Sequence, residues 1–281
     1  MKRKIKFPGF LFLTKFITNK KLLKLNWAGA GHLARAVTRV PFFRKNNPWM
    51  KPEYSNMYWI PVNKSLSQAG DTILPQEIVA RFIDKSSYRV VLDFCGCRKV
   101  NQCSDYPIDV GCLMMGEDAR GIEASFSRSV SKKEAHAHLQ RAVDAGLAPF
   151  VGKARIDNAI FGVPDTGRMV SVCFCDECCC LARWASDLPG IERNQIMHRL
   201  EGLKIWVDRK ACTGCGICIE KCFLKLISMR GNTAHIPLSN CMGCGRCVVA
   251  CPQQAIRVSL DNPDFIAQAV KNIEASVKPG K

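Results

Sequence analysis

Cys212-Thr-Gly-Cys215-Gly-Ile-Cys218-Ile-Glu-Lys-Cys222 decides the reading of this chain, because it recurs as Cys241-Met-Gly-Cys244-Gly-Arg-Cys247-Val-Val-Ala-Cys251-Pro252. Both runs have the spacing C-x2-C-x2-C-x3-C, so residues 203–260 read as a small unit with an internal duplication. In a short secreted chain, 17 cysteines would suggest a disulfide scaffold. Here they crowd at spacings that suit a metal centre, and the N-terminus shows neither a twin-arginine pair nor a small-residue cleavage site. Cytosolic thiols stay reduced, so metal–thiolate chemistry and a cytoplasmic location are expected.

Over about residues 205–258 the double run resembles the dicluster ferredoxin domain of bacteria, whose signature is this spacing. The resemblance implies two [4Fe-4S] clusters and a crossed ligand set. Cys212, Cys215, Cys218 and Cys251 would bind the iron of the first cluster; Cys241, Cys244, Cys247 and Cys222 would bind that of the second. Three cysteines on a tight loop cap three irons, and the fourth begins a helix that reaches the other cluster. Gly214, Gly216, Gly243 and Gly245 let the backbone wrap closely and aim N–H groups at sulfur. Ile217, Ile219, Val248, Val249, Ile256 and Val258 are the expected apolar casing. Phe223 departs from the pattern, since proline usually follows the fourth cysteine, as Pro252 does in the second copy. Structural zinc also uses C-x2-C pairs, but two tandem four-cysteine runs count against it. With every iron capped by thiolate, neither cluster would have a place for substrate, so an electron relay is implied.

Nine cysteines remain: Cys95, Cys97, Cys103, Cys112, Cys173, Cys175, Cys178, Cys179 and Cys180. The first four could hold one cluster, and the other five could hold a second or share ligands with the first. Together with the Ala145-Gly146-Leu147 turn, they resemble a Cys-rich module of ferredoxin-like proteins of anaerobes, fused before a dicluster domain. Three readings stand open: one or two additional [4Fe-4S] clusters, a zinc site, or a redox-active, substrate-facing thiol set. Three consecutive side chains do not easily converge on one cubane, so at least one of Cys178, Cys179 and Cys180 is expected not to be a ligand. Thiols near Arg98 or Arg183 would be nucleophilic if their pKa were lowered. His136 and His138 lie about 200° apart on a helix and are read as surface residues.

Working outward, the fold class is α+β. A Cys-rich α+β domain (62–202) precedes the dicluster domain (203–260), with a C-terminal helix or tail (261–281) and a basic, amphipathic, aromatic-rich docking arm (1–61). Within the Cys-rich domain, Ile78, Val79, Phe82 and Ile83 share a helix face, with Pro75 in its first turn. Ser131-Lys-Lys-Glu134 is a capping box, and Gly146 closes its helix. The strands Arg89–Phe94 and Arg168–Val172 each lead into a Cys-x-Cys pair. If they are neighbours in one sheet, both pairs emerge at the same end. Phe265, Ile266, Ala269, Val270 and Ile273 have helical spacing.

The chain of 281 residues is 47% hydrophobic and 23% charged, which excludes wholesale disorder and a coiled-coil rod. Its net charge of +17 is unevenly placed: 13 of the 41 Lys/Arg fall in residues 1–51, which hold no acidic residue. The rest carries 28 basic against 24 acidic residues. An oxidised cubane with its thiolates carries about −2, so two of them would leave the body near neutral. The arm, including a helix expected over 31–40, suits an anionic membrane surface or an acidic redox partner such as a flavoprotein or membrane redox subunit. Its large apolar residues argue against a nucleic-acid partner. The expectation is an iron–sulfur electron-transfer protein, cytoplasmic or peripheral on the inner face of the membrane. The alternative is an iron–sulfur reductase with its substrate site at the N-terminal cysteines.

Overall fold

The computed structural model describes residues 51–62 and 76–277. The arm's residues 1–50, with the helix expected there, and Pro75 lie outside the described residues. The α+β class holds: among the described residues, eight α-helices accompany one mixed sheet and two small antiparallel pairs.

The large sheet takes β1 (Ser55–Trp59), β2 (Arg89–Leu92), β3 (Leu113–Met115), β4 (Ser127–Ser129), β5 (Ala148–Ala154), β6 (Val170–Cys175) and β7 (Met197–His198). Their order is β4-β2-β3-β6-β5-β1-β7, antiparallel throughout except for the β1–β7 pair. Residues 55–59, assigned from sequence to the arm, are thus a strand of this sheet. The two strands that carry Cys-x-Cys are not neighbours, because β3 lies between them. Two antiparallel steps nevertheless leave β2 and β6 parallel, so their C-terminal ends share one sheet edge. Cys112, just before β3, belongs to that same edge. The second pair also differs from expectation in that β6 continues through Cys173 and Cys175.

Local chemistry explains the helices that flank the sheet. In α1 (Glu77–Lys85), Ile78, Val79, Phe82 and Ile83 are completely buried on one face. Its exposed C-terminal carbonyls are answered by buried Arg89, whose Nε donates to the Ile83 carbonyl at 2.6 Å. After α2 (Gly96–Val100) comes α3 (Lys132–Asp144), which opens on the predicted capping box. Ser131 Oγ accepts from Glu134 N, and Ser131 N donates to Glu134 Oε2 at 2.8 Å. It closes on Gly146 with φ +73°, where Leu147 N reaches the Ala142 carbonyl and Gly146 N that of Val143. The order continues with α4 (Arg155–Phe161) and α5 (Gly190–Arg193).

In the C-terminal unit, β8 (Leu203–Val207) pairs with β11 (Ile256–Leu260), and β9 (Ser228–Arg230) with β10 (Thr233–His235). Each of α6 (Ile217–Lys221) and α7 (Arg246–Ala250) follows the first two cysteines of its run and ends at the fourth, Cys222 or Cys251, where the sequence reading expects a helix to begin. The predicted terminal helix, α8 (Phe265–Glu274), packs on α1 and β1, with Lys85 Nζ 2.5 Å from Glu274 Oε1. It ties the end of the chain to the N-terminal sheet.

One close approach sets the cysteine-bearing edge. A Cβ added at Gly111 would stand 2.1 Å from the Leu92 carbonyl oxygen, so only glycine lets the loop before Cys112 lie against the end of β2. His138 secures the same loop. It is buried, contrary to the surface reading, with Nε2 2.8 Å from the Gly111 carbonyl. We expect Gly111→Ala to lower stability by roughly 1–3 kcal/mol in urea unfolding, because the clash is with backbone. Unchanged stability would show that the loop can move away.

Candidate functional site

The expected crossed ligand sets each converge on a cavity. Cys212, Cys215, Cys218 and Cys251 line the first, and Cys222, Cys241, Cys244 and Cys247 line the second. Gly214, Gly216, Gly243 and Gly245 all have φ between +73° and +75°, a conformation that costs a side-chain-bearing residue energy. Leu226 N reaches Cys222 Sγ, and Ala255 N reaches Cys251 Sγ, each at 3.3 Å, so backbone donors already aim at the crossing sulfurs. The apolar casing is partly as expected. Ile256 and Val258 are buried, but Ile217 and Val249 are 41% and 46% exposed, because their short helices turn those faces outward.

The two cavities differ in setting. Cys215 is exposed, which brings the first to the surface. The second is lined in addition by Trp59 and Phe223, and faces the N-terminal sheet. Burial raises the Cys244 thiol to about 12 and drives Cys247 well up. A group that binds as thiolate there must displace those protons. The cavity's surroundings fit an electron-rich occupant. Five buried side-chain polar atoms lack a hydrogen-bond partner among the described residues; one is Nε1 of Trp59, which lines this cavity, and another is Nε of Arg193. Arg193 is fully buried, and its charge acts on Cys241 and Cys222. The donor set and these orphaned N–H groups suit an iron–sulfur cluster.

Phe223, the departure from the usual proline, now has a packing reason. Its ring lies 4.4 Å from that of Trp59, which stacks at 4.4 Å on Phe150 in β5. Each such pair adds roughly 0.5–1.5 kcal/mol beyond area burial. A polar joint lies beside it. Glu177 accepts from Lys221 Nζ at 2.7 Å, from Tyr106 Oη and from Arg246. Burial alone would raise the Glu177 carboxyl, but Lys221 and Arg246 hold it below its ordinary value. Arg246 Nη1 also donates to the Cys175 carbonyl at 3.3 Å. The second cavity is therefore locked against the N-terminal cysteines.

Those nine cysteines do not follow the segments in which they occur. Cys112 Sγ lies 3.7 Å from Cys173 Sγ, and Cys180 Sγ 3.0 Å from Cys175 Sγ. Cys97 contacts Cys95 and Cys180. Cys103 instead joins Cys178 and Cys179, and Cys180 turns away from both. The two segments thus interleave. Hydrogen bonding between thiols and burial push Cys95, Cys97, Cys173 and Cys180 well up. Burial raises Cys179 to about 11, with Cys178 higher still, so neither is the activated, low-pKa thiol that a nearby arginine would produce. Arg98 pairs with Asp176, and Arg183 with the Cys178 carbonyl; Arg98 also acts on Cys95, where hydrogen bonding between thiols and burial outweigh it.

Sequence reading missed Asp176, Glu177, Trp59 and Arg193. The Cys175-Asp-Glu-Cys178 string was the available signal for the first two, since acids between metal-ligating cysteines demand a partner. Residues 204–252 match the model of the 4Fe-4S dicluster domain family. A comparison with curated proteins finds no match for this chain. The C-terminal unit is thus a 4Fe-4S dicluster domain, and iron–sulfur electron transfer is the chemistry it carries.

Two expectations follow. Trp59→Phe keeps the aromatic packing and removes the Nε1 donor. It should lower the midpoint potential of the second cluster by on the order of tens of millivolts and leave the first unmoved. Equal shifts at both, or none, in a spectroelectrochemical titration would contradict that role. Arg98→Leu strands the Asp176 carboxylate in the interior and should cost about 3–5 kcal/mol, of which Arg98→Leu/Asp176→Leu recovers a large part. A denaturation-based double-mutant cycle with no coupling would remove this pair from the account.

Proposed function

We propose that this protein relays single electrons through two [4Fe-4S] clusters held in its dicluster domain. One observation carries the reading: two cavities, each lined by three cysteines of one run and the last cysteine of the other. A bound cluster supplies a one-electron couple, with all four irons capped by thiolate. The chain's own groups do the rest. Gly-rich loops and the amides of Leu226 and Ala255 direct N–H groups at the ligating sulfurs. Phe223, Trp59 and Leu224 seal the second site from water, and Arg193 sets a positive charge beside it.

Exposed Cys215 and Ile217 make the first site the natural contact for a redox partner protein, a flavoprotein or a membrane redox subunit. The buried face of the second site supports exchange with further metal centres among residues 95–180. Among the described residues no helix is long and apolar enough to cross a membrane. The basic residues of 1–51 would add roughly 1 kcal/mol each at an anionic membrane surface, which supports a peripheral cytoplasmic placement. The reductase reading keeps one observation on its side, the partly exposed Cys103, Cys178 and Cys179. Turnover of a small molecule without a partner, abolished by Cys179→Ala, would favour it.

The crossed ligation gives the sharpest test of the relay. Cys222 lies in the first run but lines the second cavity. Cys222→Ser should alter the electron paramagnetic resonance of the second reduced cluster and spare that of the first, whereas Cys251→Ser should do the reverse. The opposite pattern would mean that each run ligates its own cluster, and the crossed relay geometry would fall.

A further inference from the structure

The outer three of the nine N-terminal cysteines make a site of their own. Cys103 Sγ lies 3.3 Å from Cys178 Sγ, which lies 2.8 Å from Cys179 Sγ. The three sulfurs all fall within 4.8 Å of one another, and this is the one such set of three metal-ligating side chains among the described residues. All three residues are half-buried, so the set reaches solvent.

Two features produce this convergence. Adjacent residues of an extended chain point to opposite sides. Here Asp176 Oδ1 accepts the N–H groups of both Cys178 and Cys179, at 3.1 and 2.6 Å, and closes a turn that brings both sulfurs to one side. Cys103 is held opposite them by its N–H bond to the Arg98 carbonyl at 3.0 Å. The same Arg98 fixes Asp176 from the other oxygen, Nη1 to Oδ2 at 3.1 Å. One buried ion pair therefore registers the two segments that supply the three thiols.

The spacing sets the size of the occupant. A single tetrahedral ion with metal–sulfur bonds of about 2.3 Å keeps its sulfurs roughly 3.8 Å apart. Each dicluster quartet instead stands around a cavity, and no three of its sulfurs lie within 4.8 Å of one another. The trio is built for something smaller than a cubane. Cys180 cannot complete it, because its sulfur turns inward to Cys175 at 3.0 Å. The Asp176 carboxylate accepts from Arg98, from the two backbone amides and, at 3.2 Å, from the Cys178 thiol, but it does not join the set whose ligand atoms all lie within 4.8 Å of one another.

We propose that Cys103, Cys178 and Cys179 bind one thiophilic metal ion, such as Zn²⁺, through three thiolates and leave its fourth position open to solvent. Binding releases the thiol protons to water. Three protein ligands with one open place is the pattern of a reactive site, whose fourth ligand is water or an exogenous thiol. This goes beyond the electron relay and does not depend on it.

The test uses the full chain, purified anaerobically with its iron, exposed to zinc chloride and dialysed. Zinc, iron and sulfide are then measured per chain. We expect about one zinc in the wild type. It should be lost in both Cys103→Ser and Cys179→Ser and kept in Cys112→Ser, with iron and sulfide unchanged in the two trio variants. The unchanged iron shows that the variants fold. A wild type without zinc, zinc retained in both trio variants, or iron lost from Cys103→Ser in place of zinc would each overturn the assignment.

Discussion

Arg98 is the part on which the rest of the N-terminal site depends. It is completely buried, and a charge there is tolerable only if its nitrogens are paired, as all three are. Nε donates to the Pro107 carbonyl, Nη2 to that of Val110 at 2.5 Å, and Nη1 to both the Phe174 carbonyl and Asp176. These contacts pin the 103–112 loop, the end of β6 and the turn at 176–179 in one arrangement. All nine N-terminal cysteines lie on or beside those segments. Such a pair adds little net stability, since desolvation offsets attraction, but its loss from one side is costly. What it gives is register: it decides which thiols meet.

A second constraint joins the dicluster domain to the sheet. Trp59 belongs to the sheet yet lines the dicluster domain's second cavity, and Phe223 from the dicluster domain packs against it. Glu177 lies one residue from Cys178 and holds both Lys221 at the end of α6 and Arg246 at the start of α7. One dicluster site thereby faces inward to other thiols, and the other faces the surface. That asymmetry sets one cavity against the sheet and the other at the surface.

Much of this was legible in the sequence, for identifiable reasons. The dicluster domain could be read because ligand identity and spacing are local and duplicated. The capping box before α3, the buried face of α1 and the terminal helix could be read because each is a short-range pattern. The sheet order could not. Whether β2 neighbours β6 depends on where the three-residue strand β3 inserts, and so short a strand carries no periodicity. Residues 55–59 read as part of the arm, because nothing local shows that they pair with β5 and β7. The grouping of the nine cysteines was hidden for the same reason. Cys103 meets Cys178 across 75 residues, through a turn set by Asp176. Phe223 could be seen as a departure, but its reason is Trp59, a partner far away in the chain.

The most direct test of the account is the content of iron and acid-labile sulfide in the intact, anaerobically purified chain. Two cubanes in the dicluster domain require about eight of each per chain. Close to eight or more, with sulfide matching iron, is the predicted result. Clearly fewer than about eight, or zinc in place of iron at residues 212–251, would contradict the central claim that this chain carries electrons through two iron–sulfur clusters.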